Sequence, residues 1–125
     1  MKILITGASG QLGSCLTKML EMGNSELGEI PGLFKTTQTD LTDTNELDIT
    51  DLETVLAYTA QSKPTVIINC AAYTNVDGCE THQDDAFKVN ALGARNFGDG
   101  CRENRCKART CFDRLCLCRQ RNKAR

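Results

Sequence analysis

Apolar and polar residues alternate in blocks along this chain, and the blocks read as strands and helices in turn. Lys2-Ile3-Leu4-Ile5-Thr6 is a short apolar run that stops at Gly7, which predicts a buried strand. Leu12, Cys15, Leu16, Met19 and Leu20 recur at helical spacing, which predicts a helix over Gln11–Met22. Gly, Asn and Pro between residues 23 and 32 mark a loop, and a weaker strand is expected near residues 33–39. Past a polar stretch at 42–47, Thr50 or Asp51 caps a second helix. Leu52, Val55, Leu56 and Tyr58 are candidates for its packed side, and it ends before Lys63-Pro64. Residues 65–70 form an apolar run of the kind found in central parallel strands. Residues 71–78 read as a loop. A third helix is expected over 83–97, with Ala86, Phe87, Val89, Asn90 and Ala94 near one face. Strands alternating with helices imply an α/β fold, a parallel sheet with right-handed crossovers and helices on both faces.

Length and charge refine this picture. At 125 residues the chain holds one domain at most. Its net charge of −1 hides a split. Residues 1–100 carry 6 Lys/Arg against 14 Asp/Glu, whereas residues 101–125 carry 9 against 2. Five of the eight cysteines also fall in that last stretch. No apolar run is long enough to span a membrane, and no signal peptide is evident. The expected location is the cytoplasm, where thiols stay reduced. Cys15 and Cys70 then read as small core residues.

The chemistry is concentrated at the first turn. Gly7-Ala8-Ser9-Gly10-Gln11-Leu12-Gly13 joins the first strand to the first helix. A strand, a glycine-rich turn and a helix start are the arrangement that binds a dinucleotide pyrophosphate. Gly7 allows the tight turn, Gly10 lets backbone approach the phosphates, and Gly13 lets helix and strand pack closely. The free N–H groups and the positive end of the helix face the anion.

Further segments agree with one family. They are the glycine turn, Glu46-Leu47-Asp48-Ile49-Thr50-Asp51, the run from Lys63 through Asn69 to Asp77, and Ala86-Phe87-Lys88-Val89-Asn90-Ala91. Together these closely resemble the dTDP-4-dehydrorhamnose reductases, extended short-chain dehydrogenase/reductases, over about residues 1–104. The resemblance implies the first part of a Rossmann-type NAD(P)-binding domain. It implies that Gly7, Gly10, Gln11, Leu12 and Gly13 hold the pyrophosphate and that Asp48 and Ile49 lie beside the adenine. Ala71, Ala72 and Tyr73 would line the nicotinamide side, and Thr74, Val76 and Asp77 would face a sugar nucleotide. Asn90 would be a structural or relay residue. Plainer readings stand beside these: Asp48 as a helix cap, Tyr73 as a packed aromatic, Asn90 bonded to neighbouring backbone, and His82 as a solvated helix-start residue. For the cofactor, a ribose-binding acid is expected about 20 residues past the glycines. Asp40 is late for that, and Lys35 lies nearer and suits a 2′-phosphate, so the expectation leans to NADPH with NADH as the alternative.

The family's chemistry also implies a Tyr with a Lys four residues on, the Tyr acting as proton donor. Only Tyr58 and Tyr73 are present, followed at that spacing by Ser62 and Asp77, so the catalytic pair is absent. Residues 105–125 are expected to be a disordered Cys/Arg-rich tail. A back-translation of 105–123 with free codon choice, read one base later, gives Ala-Ala-Lys-Leu-Val-His-Val-Ser-Thr-Asp-Tyr-Val-Phe and onward, which is what the family places here. One extra base after Asn104 accounts for it. The loss would bare the edge of the strand at 65–70. The expectation is therefore an inactive truncated reductase, with no oligomeric state implied and with nucleic-acid binding disfavoured. A non-catalytic nucleotide-binding or regulatory module is an alternative. A Cys-rich metal or nucleic-acid module at the tail is another.

Overall fold

The computed structural model describes residues 1–71 and 83–110. β1 (Lys2–Thr6) leads into α1 (Gln11–Met22), then a minimal hairpin of β2 (Asn24–Ser25) and β3 (Gly28–Glu29). A single helical turn, α2 (Gly32–Lys35), precedes β4 (Gln38–Thr42), α3 (Leu52–Ser62) and β5 (Val66–Asn69). α4 (Gln83–Phe87) passes through a π-helical turn (Lys88–Leu92) into α5 (Gly93–Asn104), and β6 (Lys107–Thr110) follows. The sheet runs β4-β1-β5-β6 with every pair parallel.

Register assigns the two faces, because paired residues in parallel strands point the same way. Leu4, Ile67 and Ala108 are in register and face α3 and α5. There they meet Val55, Phe97 and Cys101, and Leu4, Val55, Ile67 and Phe97 are wholly buried. α5 comes close to α3 because Gly100 lies against the Thr59 side chain. On the other face, Ile3 and Ile68 meet Leu16, Met19 and Leu20 of α1 around an apolar cavity of about 230 Å³ that Phe34 also lines.

Local chemistry explains the helix ends. Asp51 caps α3, accepting from the Glu53 N–H at 3.2 Å and the Thr54 hydroxyl at 2.7 Å. Lys63 closes it in the left-handed region at φ 51. α1 has no side-chain cap at Gly10, so its first amides are left without partners within the helix.

Four expectations need correction. The strand expected at 33–39 lies at Gln38–Thr42. Leu33 and Phe34 belong instead to the helical turn that Pro31 starts, with the Phe34 N–H on the Pro31 carbonyl at 3.0 Å. The third helix does not stop at Phe97 but runs to Asn104. Cys15 is exposed on α1 and is not a core residue. Finally, β5 is not left bare, because Lys107–Thr110 pairs with it and so belongs to the sheet. Pairing needs only backbone groups. Lys107 and Arg109 point outward, while Cys106 and Ala108 pack on the core. Residues 111–125 lie outside the described residues.

Candidate functional site

Beyond the carboxyl ends of the strands lies a cavity of about 360 Å³. It sits where the chain changes direction across the sheet. β1 is followed by α1 and leads outward to β4, whereas β5 leads the other way to β6. Ligands of open parallel sheets bind in that crevice. The wall is built by Thr6, Gly7, Ser9 and Gly10 after β1, by Thr42, Asp43 and Thr44 after β4, and by 47–50 before α3. Cys70 and Ala71 after β5 and Val89 of the π-helical turn close it.

The turn at Gly7 is set by contact as well as conformation. Gly7 holds φ +64, and a Cβ there would stand 2.6 Å from the Ala71 nitrogen. A Cβ on Gly13 would land on the Gly7 carbonyl oxygen and lie 2.8 Å from the Ala8 Cα. α1 therefore starts directly against the end of β1. The Gly10 N–H bonds the Gly7 carbonyl at 3.1 Å, and the Ser14 hydroxyl bonds the Ala8 carbonyl at 3.2 Å. The ends of β1 and β5 are tied by the Thr6 hydroxyl donating to Asn69 Oδ1 at 2.6 Å, an oxygen that also accepts from the Ala71 N–H at 3.1 Å.

Of the residues expected at a site, Gly7, Gly10, Asp48, Ile49 and Ala71 do line this cavity. Gln11, Leu12 and Gly13 form the first turn of α1, with Gln11 and Leu12 exposed and Gly13 buried. Asp48 is also engaged locally. It accepts from Thr50 through the N–H at 3.0 Å and the hydroxyl at 2.6 Å, and these bonds hold its carboxyl below the usual range. Ile49 is chiefly a core residue, packed on Gly93, with its carbonyl accepting from Asn96 at 2.8 Å. Asn90 is buried in the π-helical turn. Ala72, Tyr73, Thr74, Val76, Asp77 and His82 lie outside the described residues.

Neither charged residue considered for the ribose reaches the cavity. Asp40 is in register with Leu4 and faces α3, where it accepts from the Tyr58 hydroxyl at 2.9 Å and the Ser62 hydroxyl at 2.7 Å. Lys35 pairs with Glu29 at 3.3 Å on the surface. Among the described residues two acids line the cavity, Asp48 and Asp43, and the Oδ1 of Asp43 accepts from the Ser9 N–H at 3.1 Å. The one signal for it was its place just past the strand end, which a strand drawn at 33–39 concealed.

Tyr58 is therefore a structural group. Burial, then the bond to Asp40, pushes its phenol up to about 12. An unfolded Tyr titrates near 10 (roughly). The folded chain thus keeps a proton that the unfolded chain gives up, so this contribution to stability is complete below about pH 10 and fades as pH rises toward 12. Calorimetry from pH 8 to 11 is expected to show a steeper fall in Tm for the natural chain than for Tyr58→Phe.

Known proteins resemble the chain over most of its length. Residues 1–107 match the family described as the RmlD substrate binding domain. A dTDP-4-dehydrorhamnose reductase of Aggregatibacter actinomycetemcomitans is 40% identical over 99 residues, covering 78% of this chain and 30% of that protein. The structure of a dTDP-4-dehydrorhamnose reductase from Clostridium acetobutylicum superposes with a TM-score of 0.75 at 40% identity, covering 86% of this chain and 34% of that one. The Bacillus anthracis reductase, solved in complex with NADP, gives 0.72 at 34% identity, with coverage of 86% and 34%. The chain thus spans about a third of the length of these relatives. Among the described residues, no helix is long and apolar enough to cross a membrane.

Proposed function

The chain belongs to the RmlD substrate binding domain family, and on that footing we propose that it is the cofactor-holding part of a dTDP-4-dehydrorhamnose reductase-like oxidoreductase. The cofactor is a nicotinamide dinucleotide, NADPH in the first place and NADH as the alternative. The observation that carries this is the start of α1: uncapped amides set against the end of β1 by a glycine that tolerates no side chain. A second supports it. Thr42 is 2% exposed and belongs to the cavity lining, and its buried hydroxyl finds no partner among the described residues.

In this reading the bound nicotinamide supplies hydride to a keto sugar nucleotide. The amides of Gln11, Leu12 and Gly13 hold the diphosphate, aided by the positive end of α1. Asp48 and Ile49 border the adenine, and Ala71 with Ala72 and Tyr73 the nicotinamide. Thr74, Val76 and Asp77 face the sugar nucleotide. Asn90 steadies the buried turn behind Val89. No group for the proton step is supplied, since the Tyr58 hydroxyl is bound to Asp40 between α3 and β4 and neither tyrosine is followed by lysine four residues on. These 125 residues therefore bind the cofactor without reducing the sugar. The region beyond Asn104 is read as a frame-shifted continuation of the reductase, which the coding DNA tests directly. The working compartment is the cytoplasm.

Two assays on the purified chain test this. NADPH should raise the melting temperature progressively with its concentration, equivalent to about 2.7 kcal/mol at a hundredfold excess over Kd. NADPH consumption with dTDP-4-dehydrorhamnose should stay at background. No shift with NADPH or NADH overturns the cofactor reading, and turnover overturns the claim that the proton donor is missing.

A further inference from the structure

The join between α5 and β6 lies at the end of the sheet opposite the cavity and carries two thiols. Arg105 closes α5 in the left-handed region at φ 56, and the Cys106 N–H returns to the Cys101 carbonyl at 3.1 Å. A helix end of this kind lays the residue just past the helix against the one five before it, and an apolar pair commonly fills the contact. Here the pair is Cys101 and Cys106. Cys101 is buried in the core cluster that holds Phe97, and Cys106 is half-buried and packs on the same cluster. Burial, then a hydrogen bond and a charge interaction with Cys106, pushes the Cys101 thiol up to about 12.

Two thiols placed this way can do what neither does alone. A disulfide cannot form where the two Cα atoms stand more than about 7 Å apart, and the hydrogen-bonded turn holds these two backbones together. The sulfurs also differ in access. Cys106 is open to solution in part, whereas Cys101 is covered. The thiolate is the form that attacks a disulfide, and a buried thiol held in its protonated form reacts slowly with anything from outside.

We propose that Cys101 and Cys106 are a reversible redox pair, Cys106 attacking and Cys101 resolving, with a small-molecule disulfide such as glutathione disulfide as the oxidant. The Cys106 thiolate attacks one sulfur of glutathione disulfide and releases one glutathione thiolate, leaving a mixed disulfide. The Cys101 sulfur then attacks the Cys106 sulfur and displaces the second glutathione thiolate, which takes up the Cys101 proton. The two cysteines lose two electrons and glutathione disulfide gains them. Excess reduced glutathione runs the exchange backward, so the bond is a transient one in a reducing compartment. While it lasts, it pins the last turn of α5 to the start of β6. That strand is otherwise held by its backbone pairing with β5 and by Ala108 on the core. The proposal goes beyond the cofactor reading and does not depend on it.

The test incubates the full chain with glutathione disulfide, alkylates the remaining thiols and maps tryptic peptides by mass. Cleavage after Arg95, Arg102, Arg105 and Lys107 puts the two cysteines on separate peptides, 96–102 and 106–107. These are expected to appear linked in the natural chain and to separate again in excess reduced glutathione. Cys101→Ala is expected to stop at a glutathione adduct on Cys106, and Cys106→Ser to leave Cys101 unmodified. Circular dichroism identifies the folded variants, and Cys101→Ser serves if the alanine variant misfolds. Oxidation should raise Tm on the order of 5 °C in the natural chain and in neither single variant. Cys106 linked to a cysteine of the 111–118 stretch, or both Cys101 and Cys106 still reduced, overturns the pairing. Cys101 modified in Cys106→Ser as fast as Cys106 is in Cys101→Ala overturns the assigned order of attack.

Discussion

Gly13→Ala is expected to abolish measurable dinucleotide binding while lowering stability by about 1–3 kcal/mol. The added methyl would meet three backbone atoms at once: the Gly7 carbonyl oxygen, the Gly7 carbonyl carbon at 2.9 Å and the Ala8 Cα at 2.8 Å. None of these is the end of a flexible side chain, so relief requires α1 to lift away from β1. The amides of its first turn move with it. Two lost hydrogen bonds to a charged phosphate, at about 1.5–3 kcal/mol each, weaken affinity by at least about a hundredfold. Titration calorimetry reads the affinity and thermal unfolding reads the stability. A folded Gly13→Ala chain with undiminished affinity would show that α1 does not have to rest on the turn.

Phe97→Ala is expected to unfold the chain. Phe97 is the largest of the fully buried side chains, on the one face of the sheet where α3 and α5 both pack. Its removal leaves a hole among Leu4, Val55 and Ile67. Truncating a buried Phe costs about 3–5 kcal/mol. Single domains are stable by only about 5–15 kcal/mol, and this sheet has four strands, with α1 contributing no fully buried side chain. The loss is therefore comparable with the whole reserve. Far-UV circular dichroism and urea titration should show a collapsed or absent cooperative transition. A transition shifted by less than a quarter of that cost would mean that the core is not centred on Phe97.

The parts of this fold that were legible in the sequence are those whose side chains announce them. β1 and α1 lie where the apolar run and the helical stripe place them, and Asp51 caps α3 as its position before Leu52 suggests. β4 escaped because an edge strand pairs through its backbone and here carries mostly polar residues, Gln38, Thr39 and Asp40 among them. β6 escaped for the same reason, its Lys107 and Arg109 reading as tail. α5 runs on through Gly98 and Gly100 past the expected end at 97, and Gly100 allows the close contact with Thr59.

The site was legible to the same degree. Gly7 and Gly10 follow from the glycine turn, Asp48, Ile49 and Ala71 are what the family resemblance implies, and all five line one cavity. Asp43 and the buried Thr42 hydroxyl became visible only once β4 was placed, because their roles come from the strand end and not from any local pattern. Asp40 illustrates the converse. It is an acid at a plausible distance in sequence, but it sits mid-strand, in register with Leu4, where Tyr58 and Ser62 of α3 hold it short of the strand end.

The most direct measurement is a ¹⁵N–¹H correlation spectrum of the labelled chain during NADPH titration. The amides of Gln11, Leu12 and Gly13, which have no partner within α1, should show the largest saturable shifts, followed by those near Asp48 and Ala71. Shifts confined to other parts of the molecule, or a spectrum unchanged at saturating cofactor, would contradict the account.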